Sequence, residues 1–237
     1  MRRLTEPQLP LPEPSLSPPE PATLEAMDMK DLKRDALTLA NWITDRSIKG
    51  ISPLQSAEEL AERYRIDNTY ASNDKRVDAL IRWETSKNFT AGFITGLGGV
   101  ITLPVSIPAS VAASWLIQAR MAAAIASIYG HDPRSDKVRT VVLLALIGDA
   151  SASKLLKGAG VSLGKHAVLR AMEGVGGRTV TQINREVGEQ LITKTGVKGA
   201  RGVSKLVPIA GGVISGAFDA ASCQVVGRCA KRLFREG

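Results

Sequence analysis

The segment NFTAGFITGLGGVITLPVSIPASVAASWLIQA, Asn88 through Ala119, runs 32 residues without a charged side chain in a 237-residue chain of formal net charge +8. It is long and apolar enough to suggest lipid. Gly92, Gly96, Gly98 and Gly99, with Pro104 and Pro108, interrupt any single continuous helix. The Gly96–Gly98–Gly99 and Pro104–Pro108 positions therefore predict a hinge, a broken hydrophobic hairpin or re-entrant-like turn, rather than a pair of strands. The glycine cluster lacks the Gly-Lys-Ser/Thr ending of a phosphate loop, and no strand precedes it as a dinucleotide fingerprint requires. Its glycines serve a reversal or a close helix contact.

Beyond Pro108, the residues ASVAASWLIQARMAAAIASIYG predict a helix over 109–129, about 30 Å long at 1.5 Å per residue. That length spans a bilayer, but Arg120 at its centre costs at least about 2.5 kcal/mol in lipid. A helix packed on most sides by protein, with a polar seam of Ser110, Ser114 and Gln118, is the preferred reading. Buried there, Arg120 requires an acidic or carbonyl partner, and Asp149 or Asp219 is the expected source. Tyr129-Gly130 closes this helix, and His131-Asp132-Pro133 makes the connection to the next. The run VVLLALIGDA predicts a second buried helix over 137–149.

Elsewhere the periodicity is helical. Leu32, Ala36, Leu39, Ala40 and Ile43 predict an amphipathic helix from Leu24 to Ile48 that Gly50 and Pro53 end. Ser56 and Glu59 form a capping box for AEELAERYR. Asn73 and Asp74 offer the cap for a helix whose apolar face is Val77, Leu80, Ile81 and Trp83, with Trp83 as a core or interface anchor. Gly212 and Gly216 have GxxxG spacing in the last hydrophobic element. Aromatic residues make up only 4% of the chain, which suits helices packed through small residues better than a β-sandwich. The fold class predicted is all-α: a multi-helix domain over 24–237 with long Ala/Gly-rich apolar core helices. Before it stands a disordered proline-rich tail, residues 1–23.

Charge is unevenly divided. Residues 1–87 carry 13 Lys/Arg and 15 Asp/Glu, whereas residues 88–237 carry 18 and 8, a net of +10. Cations beside apolar helices favour an anionic membrane surface. The terminal Lys231, Arg232 and Arg235, alternating with Leu233 and Phe234, form a candidate lipid-facing basic foot. Nucleic acid is disfavoured, because aromatic interleaving and zinc-finger or RNA-platform patterns are lacking. Cys223 and Cys229, with only His131 and His166 beside them, give no metal-ligand spacing and read as buried thiols. No cofactor or metal is expected. No apolar leader of signal-peptide length opens the chain, so secretion is disfavoured. The polar residues left as a structural or functional cluster are Gln118, Arg120, Asp132, Asp149, Asp219 and Arg228.

FTAGFITGLGGVITLPVSIPA, the Gln118–Arg120 pair, IASIYGHD and the closing VPIAGGVISGAFDAASCQVVGRCAKRLF together resemble the EcsC protein family. SAEELAERYR is similar to that family's opening helix, so the likeness runs from about Ile51 to Phe234. The matching positions are Gly96, Gly98, Gly99, Pro104, Pro108, Gln118, Arg120, Tyr129, Gly130, Asp132, Pro208, Gly211, Gly212, Asp219 and Arg228. The resemblance implies a bacterial, mainly helical protein, cytoplasmic or attached to the cytoplasmic membrane. It also implies kinship with a component encoded beside an ABC-transport system, and it carries no catalytic mechanism over to any residue. The leading expectation is a membrane-associated helical accessory or interaction protein, whose partner is an anionic membrane surface or a membrane protein. A soluble interaction domain, and a hydrolase or lipid-modifying enzyme using buried acids, are the alternatives.

Overall fold

A computed structural model describes residues 29–52, 54–87, 107, 109–161, 168–202 and 211–235. The hinge positions Gly96, Gly98, Gly99, Pro104 and Pro108, the tail, His166 and Pro208 lie outside the described residues, as does the side chain of Asp219. Among the described residues the fold is all-α, with nine helices and no strand. They are α1 Met29–Lys49, α2 Ala57–Arg65, α3 Asn73–Lys87, α4 Ala109–Ile128, α5 Asp136–Ile147, α6 Asp149–Gly158, α7 Val168–Glu173, α8 Gly177–Gly202 and α9 Gly211–Phe234.

Helix α4 is the axis of the assembly. It packs against α1, α2, α3, α5 and α9, and from Leu116 to Ile128 every residue is buried. A helix apolar on all sides must be enclosed, and the alanines at 119, 122, 123, 124 and 126, all fully buried, let neighbours approach from each direction. The window Val111–Ile128 is long and apolar enough to cross a bilayer, yet 83% of it is buried inside the protein. The helix ends in a Schellman motif. Gly130 takes φ +92°, its N–H donates to the Ser127 carbonyl at 3.0 Å, and the His131 N–H donates to Ala126 at 3.0 Å.

Around α4 the sequence rules operate locally. Ala36, Leu39, Ala40 and Ile43 on α1 are all fully buried, as their helical spacing predicts. Gly50 ends that helix at φ +82°, where an added Cβ would lie 2.8 Å from the Ser56 nitrogen and 2.9 Å from the Leu54 oxygen. The capping box of α2 is complete: the Ser56 hydroxyl accepts from the Glu59 N–H at 3.1 Å, and the Glu59 carboxylate accepts from the Ser56 N–H at 2.8 Å. The cap of α3 is displaced by one residue from expectation. Helical structure begins at Asn73, and the Ser72 hydroxyl accepts weakly from the Lys75 N–H at 3.4 Å.

The second long apolar helix is also shorter than the reading 137–149. Gly148 takes φ +80° and ends α5 at Ile147, so Asp149 opens a separate helix. Within α5 the expectation of deep burial holds, with Val141 through Ala145 all fully buried. Among the described glycines, the tightest backbone approach is at Gly188, where α8 meets α1. A Cβ on Gly188 would fall 2.0 Å from the Ala36 carbonyl oxygen and 2.6 Å from its carbonyl carbon.

Candidate functional site

Each polar residue in the buried part of α4 addresses a different neighbour. Gln118 donates to Ser114 at 3.0 Å on its own helix and to Ser222 of α9 at 3.4 Å. Ser127 donates to Glu58 of α2 at 2.6 Å. Arg120 donates from Nη2 to Glu84 of α3 at 2.8 Å, with the Gln55 carbonyl at 3.5 Å from Nη1. An alanine-rich helix surface offers many nearly equivalent packings. A buried hydrogen bond or ion pair is satisfied in only one of them, so these contacts fix the rotation and height of α4 against three neighbours.

The pair at the centre is nearly closed to solvent: Arg120 is 7% exposed and Glu84 3%. This corrects the expectation that Asp149 or Asp219 compensates Arg120. Asp149 sits in the first turn of α6, half exposed, and its carboxylate takes Arg232 instead. The sequence did carry a signal for Glu84. Val77, Leu80 and Ile81 make a stripe at i, i+3 and i+4, and the i+7 position of that stripe is Glu84. Trp83 falls off the stripe and is 48% exposed, so it is not a core anchor. The Arg120 Nε is buried without a hydrogen-bond acceptor among the described residues.

The basic foot is engaged with this chain's own carboxylates. Lys231 pairs with Asp78 at 2.6 Å, Arg235 with Asp74 at 3.0 Å, and Arg232 with Asp149. Asp74 also accepts from the Tyr129 hydroxyl at 2.7 Å, and burial followed by that hydrogen bond holds the phenol well above its ordinary range. His131 Nε2 lies 2.9 Å from the Phe234 carbonyl oxygen. The end of α9 is therefore latched to α3, to α6 and to the turn after α4. These pairs are solvent-screened, so each contributes little alone.

The remaining predicted cluster residues do not converge. Asp132 is exposed and accepts from the Arg134 N–H at 2.9 Å, an Asx turn. Arg228 is exposed on α9. Among the described residues no group of three or more His, Cys, Asp or Glu stands close enough to hold a metal ion. The surface concavities among the described residues include a polar groove of about 770 Å³ along α8, around Arg178, Arg185, Glu186 and Glu189, and a smaller one of about 290 Å³ between α2 and α3. Neither contains Arg120, Asp132 or Asp149. Acid–base chemistry needs such groups within hydrogen-bond reach of a substrate in one cleft, whereas Arg120, Asp132 and Asp149 each engage a different partner: Glu84, Arg134 and Arg232.

Burial pushes the Cys229 thiol up from 9.0 to about 12, and both cysteines are buried and unpaired with one another. Because the folded thiol holds its proton more tightly than the unfolded one, this stabilisation is full below about pH 9 and is lost as pH rises toward 12. We expect neither Cys223 nor Cys229 to react with a thiol reagent in the native protein near neutrality, and both to react after denaturation. We also expect the denaturant midpoint to fall between pH 9 and 12, less so in Cys229→Ser. Stoichiometric labelling of the native protein would place a thiol outside the core.

The helical body and its polar registry define an α-helical protein without a recognisable catalytic centre among the described residues. The sequence pattern of the EcsC protein family matches residues 24–236, and the chain belongs to that family. No curated protein and no solved structure matches it.

Proposed function

We propose that the chain is a helical accessory or interaction protein that works at an anionic membrane surface, at the inner face of the cytoplasmic membrane. One observation carries this reading: the uncharged stretch 88–119 opens a half of the chain whose net charge is +10. Apolar burial and attraction of basic residues to anionic headgroups add at such a surface. Family membership and the all-helical body support an interaction role. Lipid attachment is peripheral in this reading, because α4 is spent on the protein core.

A soluble interaction domain is the second reading, favoured by a specific observation: all three cations of the C-terminal foot are paired within the chain. Flotation of the intact protein with vesicles separates the two. The membrane reading expects co-flotation with vesicles rich in phosphatidylglycerol, weak binding to phosphatidylcholine alone, and release at high salt or in carbonate. Recovery of all the protein in the unbound fraction with both lipids would leave the soluble reading.

A further inference from the structure

The end of α9 shows solvent a single stripe. Ala221, Val225, Arg228, Arg232 and Arg235 recur at alternating spacings of four and three, which a helix places on one face. All five are exposed, while Cys223, Val226, Cys229, Ala230, Leu233 and Phe234 between them are buried. The Arg235 N–H donates to the Lys231 carbonyl at 3.0 Å, so the helical spiral carries through the last arginine. The stripe passes from apolar to basic. Val225 is 54% exposed, and no acidic residue occurs from Ala220 to Arg235. Phe234, Cys229 and Ala230 are fully buried, which ties the helix into the body. It must meet any partner in place, with this face outward.

The cations here are not equivalent. Lys231, at the edge of the stripe, pairs with Asp78, Arg235 with Asp74 and Arg232 with Asp149. Arg228, one turn earlier, pairs with no carboxylate among the described residues. We propose, building on the membrane reading, that this stripe is the surface that meets anionic lipid, and that Asp74, Asp78 and Asp149 are a guard displaced on contact. Arg228 and Val225 make the first contact, the guanidinium at a headgroup phosphate and the isopropyl group at the apolar boundary. The exchange that follows replaces like with like, since a guanidinium forks two phosphate oxygens as it forks a carboxylate. Ion pairs this open to water are weak, whereas a phosphatidylglycerol surface presents many phosphates to all four cations at once. Zwitterionic lipid lacks that negative potential and leaves the guard in place. The pairing of the foot then acts as a filter for anionic surfaces.

The test is partition of the full chain onto phosphatidylglycerol vesicles, read by flotation, in two pairs of charge-matched variants. Arg228→Gln with Arg232→Gln should weaken binding by about twenty-fold, at about fivefold per charge. Arg178→Gln with Arg185→Gln removes the same charge from α8 and should stay within about twofold of wild type, because the loss lies away from the contact. Asp78→Asn with Asp149→Asn frees two guarded cations and should tighten binding by a similar factor, and Glu186→Gln with Glu189→Gln on α8 should not. The stripe and guard variants move binding in opposite directions, so loss of fold cannot imitate both. Equal weakening by the two arginine pairs would mean diffuse attraction by net charge; it overturns the stripe and leaves membrane attachment standing. Unchanged binding in the Asp78 and Asp149 variant overturns the guard. Wild-type protein that fails to float at all removes the membrane reading itself, a result distinct from the other two.

Discussion

Replacing Glu84 by Ala is expected to destabilise the fold by about 3–5 kcal/mol, because it leaves the Arg120 guanidinium charged, buried and without a carboxylate. Arg120→Ala should cost about as much from the other side. Arg120→Lys recovers part of the loss, since one ammonium cannot reproduce the guanidinium's fixed fork of donors. Removing both charges together, as Glu84→Met with Arg120→Met, should cost less than either single change, because no unpaired ion remains in the core. Denaturant melts of the four proteins make the comparison. An Arg120→Ala midpoint equal to wild type, with unchanged cooperativity, would mean that Arg120 is solvated and the pair is absent.

Gly188→Ala is the second large effect. Glycine in a helix interior is ordinarily worse than alanine by about 1 kcal/mol, so propensity alone predicts stabilisation. Here the added Cβ would stand 2.0 Å from the Ala36 oxygen and 3.0 Å from its Cα. These are backbone atoms, and shortening the Ala36 side chain cannot relieve the overlap. The helices must separate, and overpacking of this kind costs about 1–3 kcal/mol. Gly177→Ala is the control: it lies in the first turn of the same helix, and its added Cβ meets no atom within 4 Å. A thermal melt should show Gly188→Ala markedly lowered and Gly177→Ala close to wild type. Stabilisation by Gly188→Ala would dissolve the α1–α8 contact.

The difference between these two glycines shows where sequence reading stops. In sequence, Gly188 sits in an ordinary amphipathic pattern, and nothing nearby marks the backbone pressing on it from 152 positions earlier. Features decided within one turn of chain were legible: the Ser56–Glu59 box, the stop at Gly50, the closure at Gly130 and the enclosure of α4. Glu84 was legible in principle, as the next step of a buried stripe, but a conspicuous tryptophan one residue earlier drew the reading away. Asp149 was misplaced because one local choice, the left-handed φ of Gly148, moved it from the end of a buried helix to the exposed start of another. The ion pairs of the foot join residues 83 to 161 apart in sequence, and no periodicity encodes such partners.

In the proposed attachment to an anionic surface, α4 remains the core of a helical body. Trp115, on α4, reports on it directly. In a protein carrying Trp42→Phe and Trp83→Phe, its emission is measured on phosphatidylglycerol vesicles with brominated acyl chains, alongside flotation of the same sample. The account predicts that the protein co-floats with the vesicles and Trp115 emission is unchanged by bromine. Strong quenching of Trp115 in the vesicle-bound protein would place α4 among the lipid chains and contradict it, as would failure of the protein to float at all.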